Sequence, residues 1–114
     1  MEHKMNLNPE PFEKIKEGKK TIELRLYDEK RKLISVGDKI KFFNICNKNE
    51  VLTAKVVELH IFKNFEALYR ELPLLKCGYS IDNVEYAKAS DMDFYYPPDR
   101  QKKYGVVGIE ICLL

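Results

Sequence analysis

Apolar and polar residues alternate without a break along Thr21-Ile22-Glu23-Leu24-Arg25-Leu26. A period of two predicts a strand, with Ile22, Leu24 and Leu26 on one face and Thr21, Glu23 and Arg25 on the other. The same pattern returns at Lys39 to Ile45, along Val51 to Ile61, and from Gly105 to Leu113, where Val107, Ile109, Ile111 and Leu113 share a face. Helical spacing occupies the gaps. Asn8-Pro9 suits a helix start, Phe12 and Ile15 sit three apart, and Gly18 is a natural stop. Asn64 is the expected cap of a second helix, Phe65 to Leu72, ended by Pro73. Ser80 is the expected cap of a third, from Ile81 to Ala89, and a short helix is expected over Asp99 to Tyr104 after Pro97-Pro98. Asp28 to Lys32 is a loop or a single turn, Ser35 to Asp38 a turn, and Asn47 to Glu50 a hairpin loop.

Strands and helices do not alternate strictly, and the long strand after a hairpin favours antiparallel pairing. The expected class is α+β, with a small sheet curved into a partly open barrel and flanked by helices. Its expected core is Ile22, Leu24, Leu26, Ile40, Phe42, Val107, Ile109 and Ile111. At 114 residues the chain fits one domain, 1–114, with no linker or repeat. That length excludes a multidomain enzyme with a separate cofactor domain.

Charge changes the picture only slightly. The net is +2, too small for a protein that coats nucleic acid. Residues 1–41 hold eleven basic and eight acidic side chains, so an anionic partner is expected to meet the N-terminal third first. Cys46, Cys77 and Cys112 form no CxxC pair, and neither His3 nor His60 has a neighbour at ligand spacing. No metal or cofactor is expected. Reduced thiols, a polar Met1–Asn8 and the lack of a long apolar run lead to the expectation of a cytoplasmic protein without signal peptide or membrane span.

The candidate chemistry lies in Gly18-Lys19-Lys20-Thr21-Ile22-Glu23-Leu24-Arg25. Glu23 and Arg25 share a strand face that carries no apolar residue. Lys20 has the parity of Ile22 and joins them only if the chain bends. Such a set suits hydrogen bonding to a polar ligand, with Arg25 taking a phosphate or carboxylate and Glu23 accepting from an exocyclic amine. The alternative is a polar strand face in water. Tyr79, Tyr86, Phe94, Tyr95, Tyr96 and Tyr104 crowd the last third. They suit base stacking if exposed and core packing if not. Asp91 to Pro98 is a candidate loop over the cleft.

Four blocks occur in order: GxKxxExR at Gly18–Arg25, GDxIxF at Gly37–Phe42, the helix opening Phe65-Glu66-Ala67-Leu68, and Tyr104-Gly105-Val106-Val107-Gly108-Ile109-Glu110-Ile111. Together they resemble the ASCH domain family of the PUA-like superfamily. The resemblance implies a small β-barrel with a cleft beside the GxKxxExR strand, lined by Gly18, Lys20, Glu23 and Arg25; Thr21 and Tyr96 are expected as further ligand contacts. It also implies RNA or a small nucleoside as partner. Some members deacetylate N(4)-acetylcytidine, using a lysine and a threonine three residues apart and a more distant glutamate; others are credited with ribonuclease activity. Lys20 matches that lysine, but Glu23 stands at the threonine position. If this chain is an enzyme, Lys20 and Glu23 are the expected catalytic pair. Three classes follow: an RNA- or nucleoside-binding module, which leads; a small hydrolase of nucleosides or RNA; and a protein-interaction domain.

Overall fold

A computed structural model describes residues 1–114. Five strands, β1 (Glu2–Leu7), β2 (Ile22–Leu26), β3 (Lys39–Asn44), β4 (Asn47–Phe62) and β5 (Val106–Leu113), form one sheet in the order β1-β3-β4-β5-β2. β1 runs parallel to β3, and every other pair is antiparallel. The sheet curls into a half-barrel whose free edges are β1 and β2. Helix α1 (Pro9–Lys16) joins those two edge strands. Helix α2 (Phe65–Glu71) and helix α3 (Pro98–Tyr104) lie in the long connection from β4 to β5.

Two cores share the sheet. Inside the curl, Met5, Leu7, Ile40, Phe42, Ala54, Val56, Val107, Ile109 and Ile111 meet Phe12 and Ile15 of α1. Outside it, Ile22, Leu24, Leu26 and Val106 pack against Phe65 and Leu68 of α2, with Cys77 and Met92. All eight expected core residues are buried. The assignment of Ile22, Leu24 and Leu26 to the barrel interior is corrected, because they face the outer, helix-covered side. Glu23 pairs with Ile109 and Arg25 with Val107. Directly paired residues share a face, so the polar side of β2 turns inward and is not the solvated face that simple alternation suggests. Both faces of this strand are covered, and alternation alone does not tell which side is which. Leu113, expected on the buried face of β5, is exposed at the strand end.

Two further expectations are corrected, and one unexpected strand is added. The stretch Ile81 to Ala89 is not an α-helix; it holds a 3-10 turn at Val84–Tyr86 and the first residue of another, Ala89–Phe94. The Asn83 side chain accepts from the Ser80 N–H at 2.7 Å, a local bond that competes with helix formation. Ile81 is also exposed, which leaves no apolar face to drive one. The hairpin turn is Ile45-Cys46 and not Asn47 to Glu50. There the Asn44 side chain accepts from the Cys46 N–H at 3.0 Å and fixes the reversal two residues early. Finally, Glu2–Leu7 forms a strand that its polar composition hides. It is recruited by parallel pairing, with Glu2 opposite Lys39 through to Leu7 opposite Asn44, and only Met5 and Leu7 are buried.

The remaining helices follow their signals. Asn64 Oδ1 accepts from the Ala67 N–H at 2.9 Å, as an N-cap does. Gly18 ends the turn after α1 with a φ of 79°. Gly105 leads into β5 with a φ of 72°, and a Cβ there would stand 3.0 Å from the Phe62 carbonyl oxygen. Gly105→Ala should therefore cost about 1–3 kcal/mol, read as a lower urea midpoint with an unchanged slope.

Candidate functional site

Glu23 is a charged residue almost wholly enclosed at the lip of the half-barrel, with 4% of its surface exposed. Burying a carboxylate is costly unless it is paired. Here each oxygen has its own cation. Lys20 Nζ donates to Oε1 at 2.7 Å, and Arg25 Nε and Nη2 both lie 2.7 Å from Oε2. Lys20 reaches this position because the chain bends after Gly18: the Lys19 and Lys20 N–H groups both return to the Lys14 carbonyl. Burial alone would raise the Glu23 carboxyl; the charges of Lys20 and Arg25 and their hydrogen bonds outweigh it and hold the carboxyl at about 2. Burial likewise opposes the Arg25 charge, but the Glu23 carboxylate prevails and raises Arg25 above its ordinary value.

Arg25 does a second job. Its Nη2 donates to the Asn6 carbonyl at 3.0 Å, from one free edge of the sheet to the other. The guanidinium thus spans the gap in the barrel that backbone pairing leaves open.

A cleft of about 820 Å³ opens beside this group. Lys14, Lys20, Glu23 and Arg25 line it together with Tyr69, Tyr79, Asp91, Phe94, Tyr95 and Tyr96. The expected loop over the cleft contains a 3-10 segment, Ala89–Phe94, that supplies part of this lining. Tyr96 stacks on Phe65 with centroids 6.1 Å apart, and its hydroxyl reaches toward the Leu24 carbonyl at 3.5 Å. Phe94 and Tyr95 form an exposed edge-to-face pair at the rim. Tyr86 is exposed away from the cleft lining, and Tyr104 packs against the outer core.

Of the candidate ligand contacts, Lys20, Glu23, Arg25 and Tyr96 come together here. Gly18 and Thr21 do not. They line a separate shallow hollow with Ile15 and Ile111, and the Thr21 backbone is engaged by Lys76 and Ile111. Lys14, Tyr69 and Asp91 are additions that the pattern of β2 could not reveal. Lys14 Nζ donates to the Gly78 carbonyl at 2.7 Å, across a chain separation that no local motif encodes. Cys77 also borders the cleft, but burial pushes its thiol up to about 11, so it is protonated and a poor nucleophile. No group of three or more His, Cys, Asp or Glu side chains is placed to hold a metal ion. His3 is paired with Asp38, and His60 with Glu110.

The depressed Glu23 carboxyl fixes the sign of an acid dependence. Its contribution is fully present above its ordinary value of 4.5 and is lost as pH falls toward about 2. The shift corresponds to about 3 kcal/mol. Glu23→Gln should lower stability at pH 7 by about 3–5 kcal/mol, because it leaves two buried cations without their counter-charge. It should also flatten the loss between pH 4.5 and 2, measured by urea denaturation across that range.

The ASCH domain model matches residues 5–114. Among solved structures, the hypothetical protein PH0355 is 36% identical, with full coverage of both chains and a TM-score of 0.84. The solution structure of PF0455 from Pyrococcus furiosus is also 36% identical, over 100% of this chain and 98% of that one, with a TM-score of 0.74. ASCH from Zymomonas mobilis shares the fold at 15% identity and a TM-score of 0.66, over 96% of this chain and 65% of that one. The search of curated proteins gave no match. The family match over nearly the whole sequence, with the half-barrel and its flanking helices, establishes that this chain belongs to the ASCH domain family.

Proposed function

We propose that the cleft binds one unpaired nucleotide unit, as a free nucleotide or as an unstacked residue of single-stranded RNA. The observation that carries this reading is that one cleft is lined by both cations and tyrosines: Lys20 and Arg25 fixed on Glu23, Lys14 on α1, and Tyr69, Tyr79, Tyr95 and Tyr96. An aromatic ring suits the face of a base, and a fixed cation suits its phosphate. The volume lies within the range of small-ligand pockets. Membership of a family associated with RNA adds support. The net charge of +2 favours contact with few phosphates over the coating of a long duplex.

Hydrolysis fits the side chains less well. A carboxyl held at about 2 has no proton to give to a leaving amine at neutral pH. Both Glu23 oxygens are already occupied. Lys20, as donor to that carboxylate, is placed to bind rather than to take up a proton. Release of acetate from acetylated cytidine, lost in Lys20→Met, would instead favour the amidohydrolase reading.

Titration with a short single-stranded oligoribonucleotide tests binding. The affinity should fall as salt rises, with a log–log slope of about −0.7 for each phosphate held. Lys14→Met should weaken binding by about tenfold, the value of one charge-assisted contact. Tight binding indifferent to salt, or resonance shifts confined to residues outside the cleft, would overturn the proposal.

A further inference from the structure

Three residues of the cleft lining, Tyr69, Tyr79 and Asp91, form a hydrogen-bonded chain whose direction follows from counting protons. Asp91 Oδ2 accepts from the Tyr79 hydroxyl at 2.8 Å and from the Lys88 backbone N–H at 3.1 Å. Those two donors hold the carboxyl below its ordinary value, with the backbone bond the larger cause, so it is ionised at neutral pH. A carboxylate has no proton to give, so the single Tyr79 proton is committed to it. The Tyr69 and Tyr79 hydroxyl oxygens are only 2.7 Å apart. The proton between them must then be that of Tyr69, with Tyr79 as acceptor. Tyr69 is left with lone pairs and no proton for anything else in the cleft.

The ring that carries this oxygen is held in place. Tyr69 packs edge-on to Tyr79, with centroids 5.8 Å apart, and edge-on to Phe65 at 6.4 Å. The surrounding segment has the same electrostatic bias. Residues 79–99 contain five carboxylates and a single lysine, Lys88, a net of −4. Lys14 and Lys20 are the lysines of the cleft lining. Charge therefore favours a bound nucleotide with its phosphate beside the lysines and the hydrogen-bond donors of its ring beside the chain that ends on Asp91.

We infer that Tyr69 is a specificity-determining residue, an acceptor fixed by the Tyr79–Asp91 chain that selects a ring bearing an exocyclic amine over one bearing a carbonyl at the same position. An amine N–H completes the chain from ring to Tyr69 to Tyr79 to Asp91. A carbonyl there would set lone pair against lone pair. The inference rests on the nucleotide-binding reading and specifies what that site prefers.

Titration with CMP and UMP, which differ at this position, provides the test. The wild-type protein should bind CMP about 3- to 10-fold more tightly, the value of one hydrogen bond. Tyr69→Phe removes the acceptor and should weaken CMP binding to the UMP level. Tyr79→Phe releases the Tyr69 proton to the cleft and should strengthen UMP binding, a gain that a structural defect would not produce. Asp91→Ala frees the same chain one link further out and should give the same gain if Tyr79→Phe does not fold. Equal wild-type affinities would overturn the selectivity and leave nucleotide binding standing. A CMP preference with no gain for UMP in either freed-chain variant would overturn the role of the proton chain. Binding of neither nucleotide would overturn the reading of the site itself, and this inference with it.

Discussion

A single buried carboxylate organises the open side of this molecule. Glu23 lies inside the lip of a half-barrel, where an ion is tolerated only if its charge is answered locally. The two cations that answer it come from different parts of the chain. Lys20 belongs to the turn after α1, and Arg25 belongs to β2 itself. Because Arg25 also donates to the Asn6 carbonyl, neutralising the acid and bridging the sheet edges are one act. The cleft borders this ion group, so its cationic wall is a by-product of closing the barrel.

This arrangement explains why a binding reading suits the site better than acid–base chemistry. A catalytic carboxyl needs a proton affinity near the working pH and a free oxygen. Glu23 has neither, since two short contacts use its oxygens and two cations keep it ionised. What remains is rigidity. A carboxylate clamped on both sides fixes the lysine and arginine in space, so a ligand meets donors that are already oriented.

Much of the scaffold was legible in the sequence because it rests on short-range rules. Period-two runs located β2, β3 and β5; the Asn64 cap and Pro73 bracketed α2; and the glycine after α1 marked its end. The misses share a different cause. β1 has only two buried side chains and exists because β3 offers it a parallel edge, a long-range reason that no local window contains. The supposed helix after Ser80 failed because one asparagine side chain satisfied the backbone locally. On β2 the alternation was right, but its two sides were exchanged, since a strand covered on both faces does not announce which is inner. In the site, Lys20, Glu23, Arg25 and Tyr96 were readable from one motif and one aromatic cluster. Tyr69 and Lys14 were not, because each reaches the cleft through tertiary contacts from another element.

The order of the strands also bears on how the molecule assembles. β3, β4 and β5 are adjacent in the sheet, and the first two are joined by a two-residue turn, so their pairing costs little chain entropy. β2 must instead find β5 with Ile22 opposite Glu110, 88 residues away along the chain. β1 must pass α1 and β2 before it lies beside β3. The two strands that emerge first in the sequence thus take the outermost places in the sheet, and each is hydrogen-bonded to a neighbour on one side only. β2, whose pairing closes the longest loop, forms one side of the seam between them. The cleft is therefore bordered by the strand with the most costly loop closure. A molecule bound across that seam would tie together two strands that no backbone pairing joins, and would hold them against local opening.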